Sequence, residues 1–147
     1  MYRKILVSTD GSELSIRAVT EAARLASAVG AKLLVVHVRS PVELPHHVEG
    51  GALSRLGEEK IMEEIQEEEQ KLLERARQAA ASLGVTPEVA FIAGYMPHQA
   101  IIRVSQEQQC DLIVMGTRIR QGIPGFFVKS ETQKVLTHTG TPVLVLR

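Results

Sequence analysis

Five short apolar runs alternate along this chain with longer segments whose apolar residues recur at helical spacing, and no other feature limits the fold as much. The runs are Lys4 to Ser8, Lys32 to Val38, Glu88 to Ile92, Leu112 to Met115 and Val143 to Leu146. Most are near-continuously apolar, which is the pattern of strands covered on both faces. Strands that alternate with helices through a whole chain imply an α/β fold. They form a parallel sheet joined by right-handed crossovers, with helices on both faces.

The helical segments carry start and stop signals. Ser12 to Val29 has Ser12 as N-cap, Glu13 in its first turn, an apolar face of Ala18, Val19, Ala22, Ala23, Ala26 and Val29, and Gly30 to end it. Ser54 to Leu83 places Ile61, Ile65, Leu72, Ala76, Ala79 and Leu83 at helical spacing ahead of Gly84. A third helix begins at Pro97 and carries Ala100, Ile101 and Val104. The fourth runs from Ser130 to His138, with Val135 and Leu136 inward and Gly140 and Pro142 stopping it. Residues 39–53 hold Pro41, Pro45, Gly50 and Gly51 and are expected to form a long surface loop. His46 and His47 in that loop project in different directions without a third ligand nearby, so a solvated loop is expected there rather than a metal site. Between Glu58 and Glu69 seven glutamates stand against Lys60. They read first as the solvent face of the second helix and second as an interaction surface.

At 147 residues the chain fits a single domain spanning 1–147. Seventeen basic residues balance seventeen acidic ones and aromatics make up 3%, so the basic stripe and stacking platform of a nucleic-acid binder are missing. No apolar run approaches membrane-spanning length, and the N-terminal run is too short for a secretory segment. One cysteine, Cys110, excludes an intrachain disulfide and fits a reducing cytoplasm; it is expected to pack as a small apolar residue.

Strand 4 empties into Gly116 and a loop that carries Arg118, Arg120, Gly122, Gly125 and Lys129, after which Ser130 starts a helix. A strand that leads through a basic, glycine-bearing loop to a helix N-terminus suits an anion, because main-chain N–H groups and the helix dipole point at it. This segment, with Asp10-Gly11-Ser12 and the C-terminal Thr141 to Arg147, resembles the universal stress protein family over the whole chain. The resemblance implies an adenine nucleotide alpha hydrolase-like sheet, five-stranded, open and parallel, of strand order 3-2-1-4-5. Such an order reverses direction at strands 1 and 4 and opens a crevice beyond their carboxyl ends, where α/β sheets bind ligands. The resemblance also implies ATP or a related adenine nucleotide as cofactor, with no metal beyond the accompanying magnesium. It further implies a homodimer formed through the C-terminal strand, whose apolar edge is unprotected by charge until Arg147. Other protein partners are compatible with it. In nucleotide-binding members the loop reads glycine, two residues, glycine, nine residues, glycine, then serine or threonine. Here those positions hold Gly116, Ile119, Lys129 and Ser130.

The expected binding residues are Asp10, Val38, Met115, Gly116, Arg118, Lys129 and Ser130. By resemblance Asp10 contacts the nucleoside; by its own chemistry it equally suits an Asx bond that organises the following turn. Val38 matches a position whose backbone meets the adenine, and its residue type alone suits core or rim. Gly116 admits a close backbone approach, Ser130 caps a helix and offers a hydroxyl, and Arg118 and Lys129 add cations. A β-branched Ile119 resists positive φ and keeps a ligand off the main chain. His37, His98 and His138 lie on different elements and assemble no nucleophile and base, so the chain is not expected to be an enzyme beyond slow hydrolysis of a bound nucleotide. Two functions remain open, a ligand-sensing regulatory domain and a ligand-independent dimeric scaffold whose phosphate loop has decayed.

Overall fold

A computed structural model describes residues 1–41, 51–117 and 131–147, with backbone alone for 51–54. Its elements are β1 (Lys4–Ser8), α1 (Glu13–Val29), β2 (Lys32–Arg39), α2 (Gly51–Ala81), β3 (Glu88–Ala93), α3 (Pro97–Glu107), β4 (Leu112–Gly116), α4 (Glu131–His138) and β5 (Val143–Leu146). The sheet runs β3-β2-β1-β4-β5 and every pairing is parallel. In the central register Leu6 lies opposite Leu34 on one side and Ile113 on the other.

Because side chains alternate along a strand, each apolar run feeds two cores at once. Ile5, Val7, Leu33, Val35 and Val114 join the alanine face of α1 and Ala76 and Ala80 of α2. Leu6, Leu34, Val36, Ile113 and Met115 meet Ile101 and Val104 of α3 and Val135 of α4. Burying a side chain such as Leu6 stabilises the fold by about 1.5–3 kcal/mol, and the sheet's centre is fully excluded from solvent. Cys110 is buried in the second core, where burial pushes its thiol up from the ordinary value. It packs as an apolar residue, as expected.

Several boundaries differ from the sequence reading. The parallel ladder extends β2 to Arg39 opposite Ala93 and β4 to Gly116 opposite Leu146. The expected loop over 39–53 is therefore shorter at its start, and also at its end, where α2 already begins at Gly51. His46 and His47 lie outside the described residues. At its other end α2 stops at Ala81, because tighter bonds from Leu83 N and Gly84 N to Ala80 O and Ala81 O close the turn and Gly84 takes φ 74°. Among the described side chains of α2, only those of its C-terminal half reach the core: Leu73, Ala76 and Ala80 are buried, whereas Ile61 is 43% exposed. Leu136, expected inward, is 49% exposed, because the eight-residue α4 buries a single stripe through Thr132 and Val135. Among the described residues no helix is long and apolar enough to cross a membrane.

Candidate functional site

The chain leaves β1 toward β2 and β3 and returns beside β1 as β4, so the carboxyl ends of β1 and β4 border a crevice. A hollow of about 380 Å³ occupies it, and Thr9, Asp10, Val38, Met115, Gly116 and Thr132 are among its walls. Four of the residues singled out in the sequence thus converge there. Arg118, Lys129 and Ser130 lie outside the described residues, as do Ile119, Arg120, Gly122 and Gly125.

The turn after β1 is held by a chain of hydroxyl bonds. Ser15 Oγ donates to Ser12 O at 2.9 Å, which spends its only proton. The Thr9 hydroxyl therefore donates to Ser15 Oγ at 2.9 Å and accepts from Gly11 N at 3.2 Å. Thr9 N also donates to Val36 O at 2.9 Å, which ties the turn to β2. Gly11 takes φ +79°, which glycine adopts without steric cost, and the side chain of Leu72 from α2 lies against it. Ser12 caps α1 by accepting from Ser15 N at 3.3 Å. The buried Thr9 and Ser15 escaped the sequence reading; a hydroxyl cluster around Asp10 was the available signal.

Asp10 stands exposed at the mouth, and its Oδ1 accepts from Ser12 N at 2.9 Å. The Asx bond weighed from sequence is therefore formed. Burial pushes the Asp10 carboxyl up, but hydrogen bonds from Ser12 and Ser15 outweigh it and hold the group below its ordinary value of 3.8. An ionised carboxylate has about four acceptor sites, so the turn bond does not exhaust it.

Gly116 also has a reason inside the fold. A Cβ there would lie 3.1 Å from Leu14 Cγ and 3.2 Å from Leu14 O, so the first turn of α1 sits against bare backbone. At the other end of the crevice the Oε2 of Glu131 accepts from His98 N and from His98 Nδ1, both at 2.9 Å. That carboxylate takes the place of the side-chain cap that α3 lacks at Met96. Burial pushes Glu131 up, but bonds from Lys134 and His98 prevail and hold it below its ordinary 4.5. Glu131 and Pro97, which also line the hollow, were not anticipated as site residues.

Among the described residues that line the crevice there are two carboxylates and no cation. Its chemistry there is that of an acceptor: it suits hydroxyl and amino donors at the Asp10 end. His37 Nδ1 donates to Thr9 O at 2.9 Å and is committed to backbone. Among the described residues no group of three or more His, Cys, Asp or Glu side chains is placed to hold a metal ion.

Residues 1–147 match the model of the universal stress protein family. The chain is 35% identical over 147 residues to a universal stress protein of Thermus aquaticus, with all of both chains covered. It is 32% identical over 151 residues to the universal stress protein YxiE of Bacillus subtilis, again with both chains fully covered. Its fold superposes with a TM-score of 0.74 on a universal stress protein solved in complex with cAMP, at 25% identity, covering 99% of this chain and 97% of that one.

Proposed function

The chain belongs to the universal stress protein family, and we propose that it is a cytoplasmic regulatory domain that senses an adenine nucleotide in the crevice beyond β1 and β4. The observation that carries this reading is the convergence of Asp10, Val38, Met115 and Gly116 on one hollow at the point where the strand order reverses. In this reading the ionised Asp10 accepts from a ribose hydroxyl or base amino group, and Val38 offers backbone to the base. The phosphate end turns toward α4, which Lys129 and Ser130 directly precede in the sequence, and Arg118, two residues after Gly116, adds a second cation to the same connection. The complex of a relative with cAMP supports the ligand class. In this reading the domain binds its nucleotide and at most hydrolyses it slowly: the hydroxyls of Thr9 and Ser15 bond to each other and to backbone, and among the described residues no histidine donates to or accepts from them. If magnesium accompanies the nucleotide, it comes with the phosphates. Two copies pair through β5, a proposal supported by the strand's position at the sheet edge and by Leu144 at 39% exposure.

A ligand-independent dimeric scaffold is the second reading. It is favoured by Ile119 and Lys129 at two glycine positions of the family's loop, and by the roles that Asp10 and Gly116 already fill within the fold. Mass spectrometry of the denatured protein after purification separates the two by showing whether a nucleotide is carried. Calorimetry with ATP and magnesium should then give a dissociation constant weaker than about 10 μM, since two backbone approaches are lost. Ile119→Gly with Lys129→Gly should tighten it. No carried nucleotide and no heat with ATP or cAMP would leave the scaffold.

A further inference from the structure

The turn that carries Asp10 satisfies its own main chain. Asp10 N donates to Ser15 Oγ at 3.3 Å, Gly11 N to the Thr9 hydroxyl at 3.2 Å and Ser12 N to Asp10 Oδ1 at 2.9 Å. Successive N–H groups after the first strand of such a sheet are a common cradle for phosphate. Here all three are taken by side chains of the same turn, and Ser12 Oγ takes a fourth from Ser15 N at 3.3 Å. What the turn still offers is the acceptor capacity of the exposed Asp10 carboxylate, which the bond from Ser12 N leaves unfilled.

Two buried hydroxyls enforce this arrangement. Ser15 Oγ donates to Ser12 O and accepts from Asp10 N and from the Thr9 hydroxyl, which in turn accepts from Gly11 N. Neither hydroxyl has a proton left for a ligand. Thr9 is itself fixed through its main chain, since its N donates to Val36 O and its O accepts from His37 Nδ1, both at 2.9 Å. The His37 ring stands edge-on to Phe91 of β3. Thus β2 holds residue 9, Thr9 and Ser15 hold the N–H groups of residues 10 and 11, and the place of the Asp10 carboxylate follows. A strand can enter a helix with less than this. The Asx bond of Asp10 and the Ser12 cap already make such a turn. The buried pair adds a second tier beneath them.

We infer that Thr9 and Ser15 are positioning residues for Asp10, and that the preference of the crevice for a hydroxyl or amino group at that end depends on this pair. The inference rests on the reading of the crevice as an adenine-nucleotide site. A carboxylate rewards one donor of a ligand only while it is held in place; released, it turns to water instead. Both hydroxyls act through Asp10.

Calorimetry of the full chain with magnesium and ATP, with the two analogues that each lack one ribose hydroxyl, and with ITP, which lacks the base amino group, tests this. In the parent at least one analogue should bind about fivefold or more weakly than ATP, which marks the group that Asp10 accepts from. Thr9→Val keeps the shape and removes the hydroxyl, so ATP should fall to within about twofold of that analogue, and Thr9→Ser should restore the difference. A merely structural role would weaken ATP and the analogue alike; that result, or a Thr9→Val protein that discriminates as the parent does, overturns the inference. So does a parent that binds ATP and every analogue equally, which would leave a nucleotide site in which Asp10 takes no part. A parent that binds none of them refutes the reading of the crevice, and this inference falls with it. Should Thr9→Val fail to fold, Ser15→Ala decides: it removes the acceptor for Asp10 N, places a good helix former in α1 and should lose the discrimination in the same way.

Discussion

Gly116→Ala separates a glycine kept for packing from one kept for a ligand. The new Cβ would lie 3.1 Å from Leu14 Cγ and 3.2 Å from Leu14 O. The first atom belongs to a side chain that can turn aside, whereas the second belongs to the first turn of α1 and moves only with the helix. Overpacking of this kind costs about 1–3 kcal/mol. Gly116 does not have a positive φ, so alanine recovers about 0.4–1 kcal/mol by restricting the unfolded chain. The expected net loss is about 0.5–2 kcal/mol, and at about 3 °C per kcal/mol for a chain of this size Tm falls by about 2–6 °C. Gly57 supplies the opposite case: it lies inside α2 and a Cβ there meets nothing within 4 Å. Gly57→Ala should therefore raise stability by about 0.5–1 kcal/mol. Thermal melts of the two variants and the parent, followed by circular dichroism at equal concentration, compare them directly. A Gly116→Ala protein that melts with the parent yet loses nucleotide binding would refute the packing argument and assign the glycine to the ligand.

Asp10→Ala removes the acceptor for Ser12 N and should cost about 0.5–1 kcal/mol of stability, while nucleotide affinity measured by calorimetry falls about 5- to 150-fold; a large drop in Tm with unchanged affinity would confine Asp10 to the turn. Glu131 is held below its ordinary 4.5, so its bonds to His98 and Lys134 contribute stability that is present above that value and lost as pH falls through the folded one. Urea unfolding from about pH 6 to about pH 3 should show the parent losing more stability than Glu131→Gln, with the two curves converging in acid. Leu144→Lys places an ammonium group on β5 at a side chain already 39% exposed, so the subunit should stay folded while light scattering reports the loss of a dimer; an unchanged dimer mass would move the interface elsewhere.

The number and type of the elements, and the two-sided burial of the sheet, were legible in the sequence because periodicity is a local property. The apolar run Ile5-Leu6-Val7 divides itself between two cores by alternation alone, whatever those cores contain. Asp10 and Gly116 could be placed at strand ends because the apolar runs stop there, and the basic loop with Lys129 and Ser130 is known from sequence only. What the tertiary structure decided depends on how elements far apart in the chain meet. Val135 and Leu136 are adjacent and both apolar, yet only Val135 is buried, because the stripe a short helix buries is set by the surface it lands on. The reason for Gly116 is Leu14, about a hundred residues earlier, and the cap of α3 is Glu131 from another helix. A second hollow, under α2, exists because that helix continues past the core, leaving Glu69 over His37 and Arg39 rather than in open solvent. No local pattern encodes such a meeting, since it is fixed by the packing of α2 on α1 and of Leu72 on Gly11, not by the helical period that placed Glu69 on its face.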